Sequence, residues 1–127
     1  MKLDHDKVRK FLIAIEDSTD IHGLSEVEAN QFAKENDLNR EELAYMVTKL
    51  SEGDLITGNV KGASNRVYWI NAGNLTYSGH EYLDNIRDDK VWSAVKKAGK
   101  GIASMSLSIA VELGKTKLRE MVGLPPA

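Results

Sequence analysis

Residues 25–70, SEVEANQFAKENDLNREELAYMVTKLSEGDLITGNVKGASNRVYWI, decide the fold. Ser25-Glu26-Val27-Glu28 is a capping box: the serine hydroxyl accepts from the backbone N–H of Glu28 while the Glu28 carboxylate reaches back to the cap. A helix starts there, and its few apolar positions, Val27, Ala29, Phe32 and Ala33, predict a short one ending near Asn36. Asn39-Arg40-Glu41-Glu42 repeats the cap. Leu43, Met46, Val47 and Leu50 follow at i, i+3, i+4 and i+7, the stripe of an amphipathic helix. Two capped helices joined through Asp37-Leu38 make the pattern of a helix-turn-helix with the second helix in the recognition position, although any adjacent amphipathic pair produces it too. Gly53 ends the second helix. Leu55-Ile56-Thr57 and Arg66-Val67-Tyr68-Trp69-Ile70 then read as strands of a hairpin across a turn, Lys61-Gly62-Ala63-Ser64-Asn65.

Upstream, Val8, Phe11, Leu12 and Ile15 recur at the helical period, with Asp4 or Asp6 as the cap. Three helices followed by a hairpin is the winged-helix order. The expected fold is therefore mainly α with a small β-hairpin, a winged helix-turn-helix core plus a C-terminal helical extension. Residues 1–88 form the winged-helix-like unit and residues 89–127 the basic, amphipathic extension. Within the first unit, Thr76 is an N-cap for a fourth helix, Gly79 permits close approach to the strand beneath it, and Leu83 and Ile86 face the core. In the extension, Asp88-Asp89 caps a helix through Val91, Trp92 and Val95, and Gly99-Lys100-Gly101 interrupts it. The last helix is expected from about Ser104 to Val122. Leu107, Ala110, Val111, Gly114, Leu118, Met121 and Val122 make one stripe, and Ile102, Met105, Ile109 and Leu113 a second, which predicts two buried faces.

With 127 residues, 42% hydrophobic and 28% charged, the chain fits one globular domain with one core. The absence of cysteine excludes disulfides, thiolate nucleophiles and zinc–thiolate sites, and suits a reducing cytosol. Met1-Lys2-Leu3-Asp4-His5-Asp6 alternates charge where a secretory signal would turn apolar. The longest apolar stretch, Ile102 to Leu113, is twelve residues and contains Glu112, short of the roughly 20 that span a bilayer. Charge is unevenly placed: residues 1–89 carry 10 Lys+Arg against 17 Asp+Glu, whereas residues 90–127 carry 7 against 2. That asymmetry predicts an anionic target for the tail, or charge complementarity within the chain or a dimer.

Nothing in the pattern carries chemistry. There is no glycine-rich phosphate loop, no nucleophile elbow and no paired acid/base set, so no enzyme and no cofactor are expected. His80-Glu81 lacks a second histidine at zinc-helix spacing, so no metal site is expected and His80 reads as an exposed or capping residue. Both tryptophans read as packing residues.

The opening Met1-Lys2-Leu3-Asp4 with Asp6, Val8 and Arg9, and the block Leu75-Thr76-x-x-Gly79-His80-Glu81-x-Leu83-Asp84-x-Ile86-Arg87-Asp88-Asp89-x-Val91-Trp92, resemble the phage- and prophage-associated bacterial family known as domain of unknown function 2513. The second block is the specific one, while the middle of the chain matches in the order of its elements. The resemblance implies a winged-helix-like core, a bacterial or phage setting and no established catalytic residue; the cytoplasmic location is expected from the N-terminal pattern and the lack of cysteine.

Two functions are therefore expected. The first is a DNA-binding transcriptional regulator contacting DNA through Arg40, Tyr45, Lys49, Lys61 and Arg66. Glu41 and Glu42 at the start of the recognition helix and the acidic balance of residues 1–89 oppose it, and loops carry basic residues for solubility as well. The alternative is a protein-interaction module that modulates or antagonises a host protein through its acidic face or its C-terminal helix. The stripe Leu107, Val111, Gly114, Leu118 and Met121 is the expected interface for a homodimer or an external partner. An anionic membrane surface, reached through the flanking lysines, is the least favoured target.

Overall fold

Asp4, rather than Asp6, caps the first helix: α1 runs His5–Asp17, and the Asp4 carboxylate accepts from the N–H of Lys7. The computed structural model, which describes residues 1–63, 66–100 and 105–126, continues with α2 (Glu26–Glu35), α3 (Arg40–Glu52), β1 (Asn59–Ala63), β2 (Arg66–Asn71), α4 (Tyr77–Ile86), α5 (Asp89–Gly99) and α6 (Leu107–Met121). The protein is mainly helical with a small antiparallel sheet. Both capping boxes close, Ser25 with Glu28 and Asn39 with Glu42, each cap contributing about 1 kcal/mol. Between α2 and α3 the chain turns at Asp37, whose φ is +55°, a left-handed conformation that aspartate tolerates better than most residues. Leu24, between α1 and α2, forms a single antiparallel bridge with Gly73, just past β2. Helix, bridge, two helices and hairpin follow one another in the element order of a winged helix.

The first strand begins later than the sequence predicts. Leu55 and Ile56 are each 2% exposed; they seal the core beneath α3, and Ile56 bridges Leu75. The β-prone run is thus a buried connector, the ladder starts at Asn59, and Lys61 becomes a strand residue instead of a turn residue. Strand pairing runs Asn59↔Asn71, Val60↔Ile70 and Lys61↔Trp69, then resumes at Gly62↔Val67 and Ala63↔Arg66, so residue 68 is skipped. This is a β-bulge, which reverses the inside–outside alternation beyond it. Ser64 and Asn65 of the predicted turn, and Gly101, Ile102 and Ser104 of the predicted tail, lie outside the described residues.

One core runs through both predicted parts of the chain. Phe11, Leu12, Phe32, Leu43, Leu50, Ile70, Leu83, Ile86, Val91, Trp92, Val95 and Ala110 belong to a single cluster, with the Phe11 and Phe32 rings 5.0 Å apart. Val27 is not part of it and is 78% exposed. It precedes Ala29 by two residues, about 200° around the helix, and so points away from the face that Ala29, Phe32 and Ala33 bury. The expected boundary between residues 88 and 89 falls at the junction of α4 and α5, and Arg9 of α1 bolts that junction. Its guanidinium donates to the carbonyls of Ile86 and Arg87 at the end of α4, pairs with Asp89 at 2.8 Å, and lies 5.7 Å from the Trp92 ring centre. A cation satisfying the last carbonyls of a helix also opposes the negative end of its dipole.

Asp6 ties α1 to α5 as well, accepting from the Trp92 indole at 2.8 Å and the Lys96 ammonium at 3.1 Å. Partial burial opposes ionisation of the Asp6 carboxyl, but these two hydrogen bonds and the charges of Lys96 and Lys10 outweigh it and hold its pKa below the ordinary carboxylate value. A carboxylate whose pKa is lowered on folding stabilises the protein fully above its unfolded pKa and loses that contribution as pH falls through the folded one. Stability should therefore decline below about pH 4, and Asp6→Asn should flatten part of that decline while lowering stability at pH 7. Urea unfolding of both proteins across pH 2–7 checks it; parallel pH profiles would show that Asp6 has no such role.

The tail folds back. Helix α6 buries Ala110 and Gly114, residues stacked one turn apart on one face, and a Cβ placed on Gly114 would stand 2.8 Å from Ile86 Cγ2 of α4. Small residues there let the helix axes approach. The predicted partner stripe is accordingly corrected: Gly114 lies against Ile86 and Tyr82, Leu107 reaches Gly53 at the end of α3, and Val111 and Leu118 pack partly on the core. Met121 alone of the five stays largely outside, at 50% exposure. Of the second stripe, Met105 and Leu113 pack partly on the core, whereas Ile109 is 43% exposed. No helix among the described residues is long and apolar enough to cross a membrane.

Candidate nucleic-acid interface

The five residues expected to meet DNA fall into three separate environments. Arg40, at the first turn of α3, is a clamp between elements. Its guanidinium pairs with Glu26 of α2 at 2.6 Å, donates to the Asn30 side chain at 3.0 Å and reaches the Val67 carbonyl of β2. That geometry serves the assembly of α2, α3 and the hairpin.

Tyr45 and Lys49 lie elsewhere. They line a trough of about 670 Å3 between α3, the N-terminal residues Met1–Leu3 and the start of α6, which Leu107, Val111 and Glu112 wall. Lys49 pairs with Glu52 at 3.0 Å and sits 5.6 Å from the Tyr45 ring centre; the hydrogen bond to Glu52 raises its pKa and keeps it charged. The solvent side of α3 is acidic, with Glu41, Glu42 and Glu52 exposed. A helix with this face, walled at its C-terminal end by α6, is poorly suited to a major groove lined by phosphates.

Lys61 and Arg66 share a third environment with a residue that the sequence reading assigned to packing. Trp69 is 42% exposed, directly across the ladder from Lys61, whose ammonium lies 5.2 Å from the indole centre. The bulge decides where Arg66 goes. In a regular strand Arg66 and Trp69, three apart, would point to opposite faces. Skipping residue 68 turns Val67 inward against the core and leaves Arg66 exposed on the outer face with Lys61 and Trp69. Among the described residues neither Lys61 nor Arg66 has a carboxylate partner, a condition they share with several other surface lysines, whereas Arg9, Arg40, Lys49, Arg87, Lys96 and Lys117 are paired. Charge along the chain agrees: the 26 residues from Leu55 to His80 include Lys61 and Arg66 and no Asp or Glu. The hairpin is a cationic and aromatic projection within residues 1–89, whose balance is otherwise acidic.

The motif residues near the N-terminus and around α4 and α5 have structural roles. Thr76 caps α4, Gly79 lies against the Leu55 carbonyl, Asp88 caps α5, and Asp6 and Arg9 lock onto the α4–α5 junction. His80 stands half-exposed beside Glu16, which also pairs with Arg87. No group of three or more His, Asp or Glu residues among the described ones could hold a metal ion.

Helices, bridge and bulged hairpin together define a small, mainly helical protein with the element order of a winged helix and a basic, aromatic hairpin face. The chain belongs to the family described as Hypothetical protein (DUF2513), which matches residues 2–106. That span takes in every motif residue named above except Met1 and ends at Ser106, the N-cap of α6. No curated protein and no solved structure matches the chain significantly.

Proposed function

We propose that the protein is a non-catalytic nucleic-acid-binding regulator that makes its contacts through the outer face of the β1–β2 hairpin and not through α3. The observation that carries this reading is the convergence of Lys61, Arg66 and exposed Trp69 on one face of an acid-free segment. Cations without carboxylate partners are free to neutralise phosphates and release counterions, the source of most sequence-independent affinity. The acidic face of α3, with Glu41, Glu42 and Glu52 exposed, repels nucleic acid and disfavours contact through that helix.

Titration of a labelled oligonucleotide at several salt concentrations tests it. Affinity should fall as salt rises, and the double variant Lys61→Glu/Arg66→Glu should lose about tenfold or more at low salt, with the salt dependence shrinking by roughly the two phosphates no longer neutralised. Lys49→Glu should bind as the parent does, because Lys49 belongs to the trough. Unchanged binding by the double variant would overturn the proposal.

A second reading, protein recognition, is favoured by the trough over Tyr45 and Lys49 and by the acidic face of α3 beside it. Complete absence of nucleic-acid binding at low salt would select it.

A further inference from the structure

We infer that Trp69 is a stacking platform for an unpaired base, so that the hairpin takes single-stranded nucleic acid in preference to an intact duplex; this rests on the nucleic-acid reading above. The hairpin has no packing need for Trp69. Its inner face is completed by Ile70, fully buried, and by Val60 and Val67, packed partly against the core. Trp69 is nonetheless 42% exposed on the outer face, in the ladder position opposite Lys61.

The neighbours fit a single strand. In a duplex each base covers its neighbour's face, so an indole gains little from it; an unpaired base offers a free π face, and stacking tolerates any base identity. Lys61 and Arg66 flank the ring on the same face, at successive outward positions of the ladder, where a strand whose base lies on Trp69 would run its phosphates. Exposed Asn59 sits at the next outward position of β1 on the far side of Lys61, within the reach of base edges rather than backbone. No carboxylate occurs in either strand, so the strands themselves place no negative charge beside the phosphates.

Tryptophan fluorescence reads the contact directly. The second tryptophan, Trp92, is 4% exposed and hydrogen-bonded to Asp6, and should supply a constant background. A thymidine 12-mer and a duplex of equal length are titrated into the full chain at low salt. The 12-mer should quench the emission and bind about tenfold tighter than the duplex. Trp69→Ala should remove the quenching and about tenfold of the single-strand affinity, and Trp69→Phe should restore much of that affinity. Circular dichroism on each variant establishes that it is folded. Equal or tighter duplex binding, or a folded Trp69→Ala that binds the single strand as the parent does, overturns this inference while leaving hairpin binding standing. No binding of either oligonucleotide overturns both.

Discussion

Trp92→Ala should destabilise the protein by about 4 kcal/mol, the range for deleting a large buried aromatic. Trp92 is 4% exposed and lies where three elements meet, so several effects add. Its removal leaves a cavity between α1 and α5, strips the Asp6 carboxylate of its indole donor at 2.8 Å, and takes away the ring beside the Arg9 guanidinium. For a chain of this size the loss corresponds to a fall in Tm on the order of 15 °C. Trp92→Phe separates the terms, since it retains most of the packing and loses the N–H; roughly 1–2 kcal/mol is expected. Urea unfolding followed by far-ultraviolet circular dichroism measures both. A loss below about 1 kcal/mol for the alanine variant, the size of an ordinary surface change, would show that α5 is not an integral part of the core.

Gly79→Ala should be nearly as damaging, although alanine is the better helix former. Gly79 lies in the first turn of α4, where exchanging glycine for alanine gains about 1 kcal/mol in helix propensity. The new Cβ, however, would stand 2.0 Å from the carbonyl oxygen of Leu55. That oxygen is backbone and accepts from Thr76 N–H at 3.0 Å, so it cannot move without undoing the start of α4. Overpacking of this kind costs about 3 kcal/mol or more, and the clash wins. Gly53→Ala provides the contrast: its nearest neighbour would be Leu107 Cδ2, at 3.0 Å, the end of a flexible side chain on α6 that can rotate aside, and the nearest backbone atom, the Lys49 carbonyl oxygen, would stand 3.3 Å away rather than 2.0 Å. Thermal unfolding should show a large fall in Tm for Gly79→Ala and a small change for Gly53→Ala. Equal shifts would mean that α4 tolerates displacement from the Leu55 connector.

Local chemistry explains what could be read in advance. Caps at Ser25, Asn39, Thr76 and Asp88 involve partners two or three residues away, and the stripes of α1 and α3 repeat at a period set by helix geometry, so element type and order follow from short-range pattern. The close approach at Gly79 was also legible, because a glycine in a first helical turn is otherwise costly. The interface was less so. Arg40, Tyr45 and Lys49 looked like base-reading residues because they lie on or near the helix that a helix-turn-helix offers. Glu26 takes the first, though it is fourteen residues away in sequence, and the others line an open trough walled by α6 and the N-terminal residues.

The sequence by itself determined the helices, their caps, the hairpin, the absence of cysteine chemistry and the opposite charges of the two ends, because each depends on neighbouring residues or on composition. Only the tertiary structure decided which residues meet. One skipped position in the ladder turns Arg66 to the side of Lys61 and Trp69, and Ala110 and Gly114 seat α6 on α4 instead of leaving its stripe for a partner. These outcomes depend on strand register and on how closely distant surfaces fit, and side-chain packing between remote segments has no period that a sequence displays.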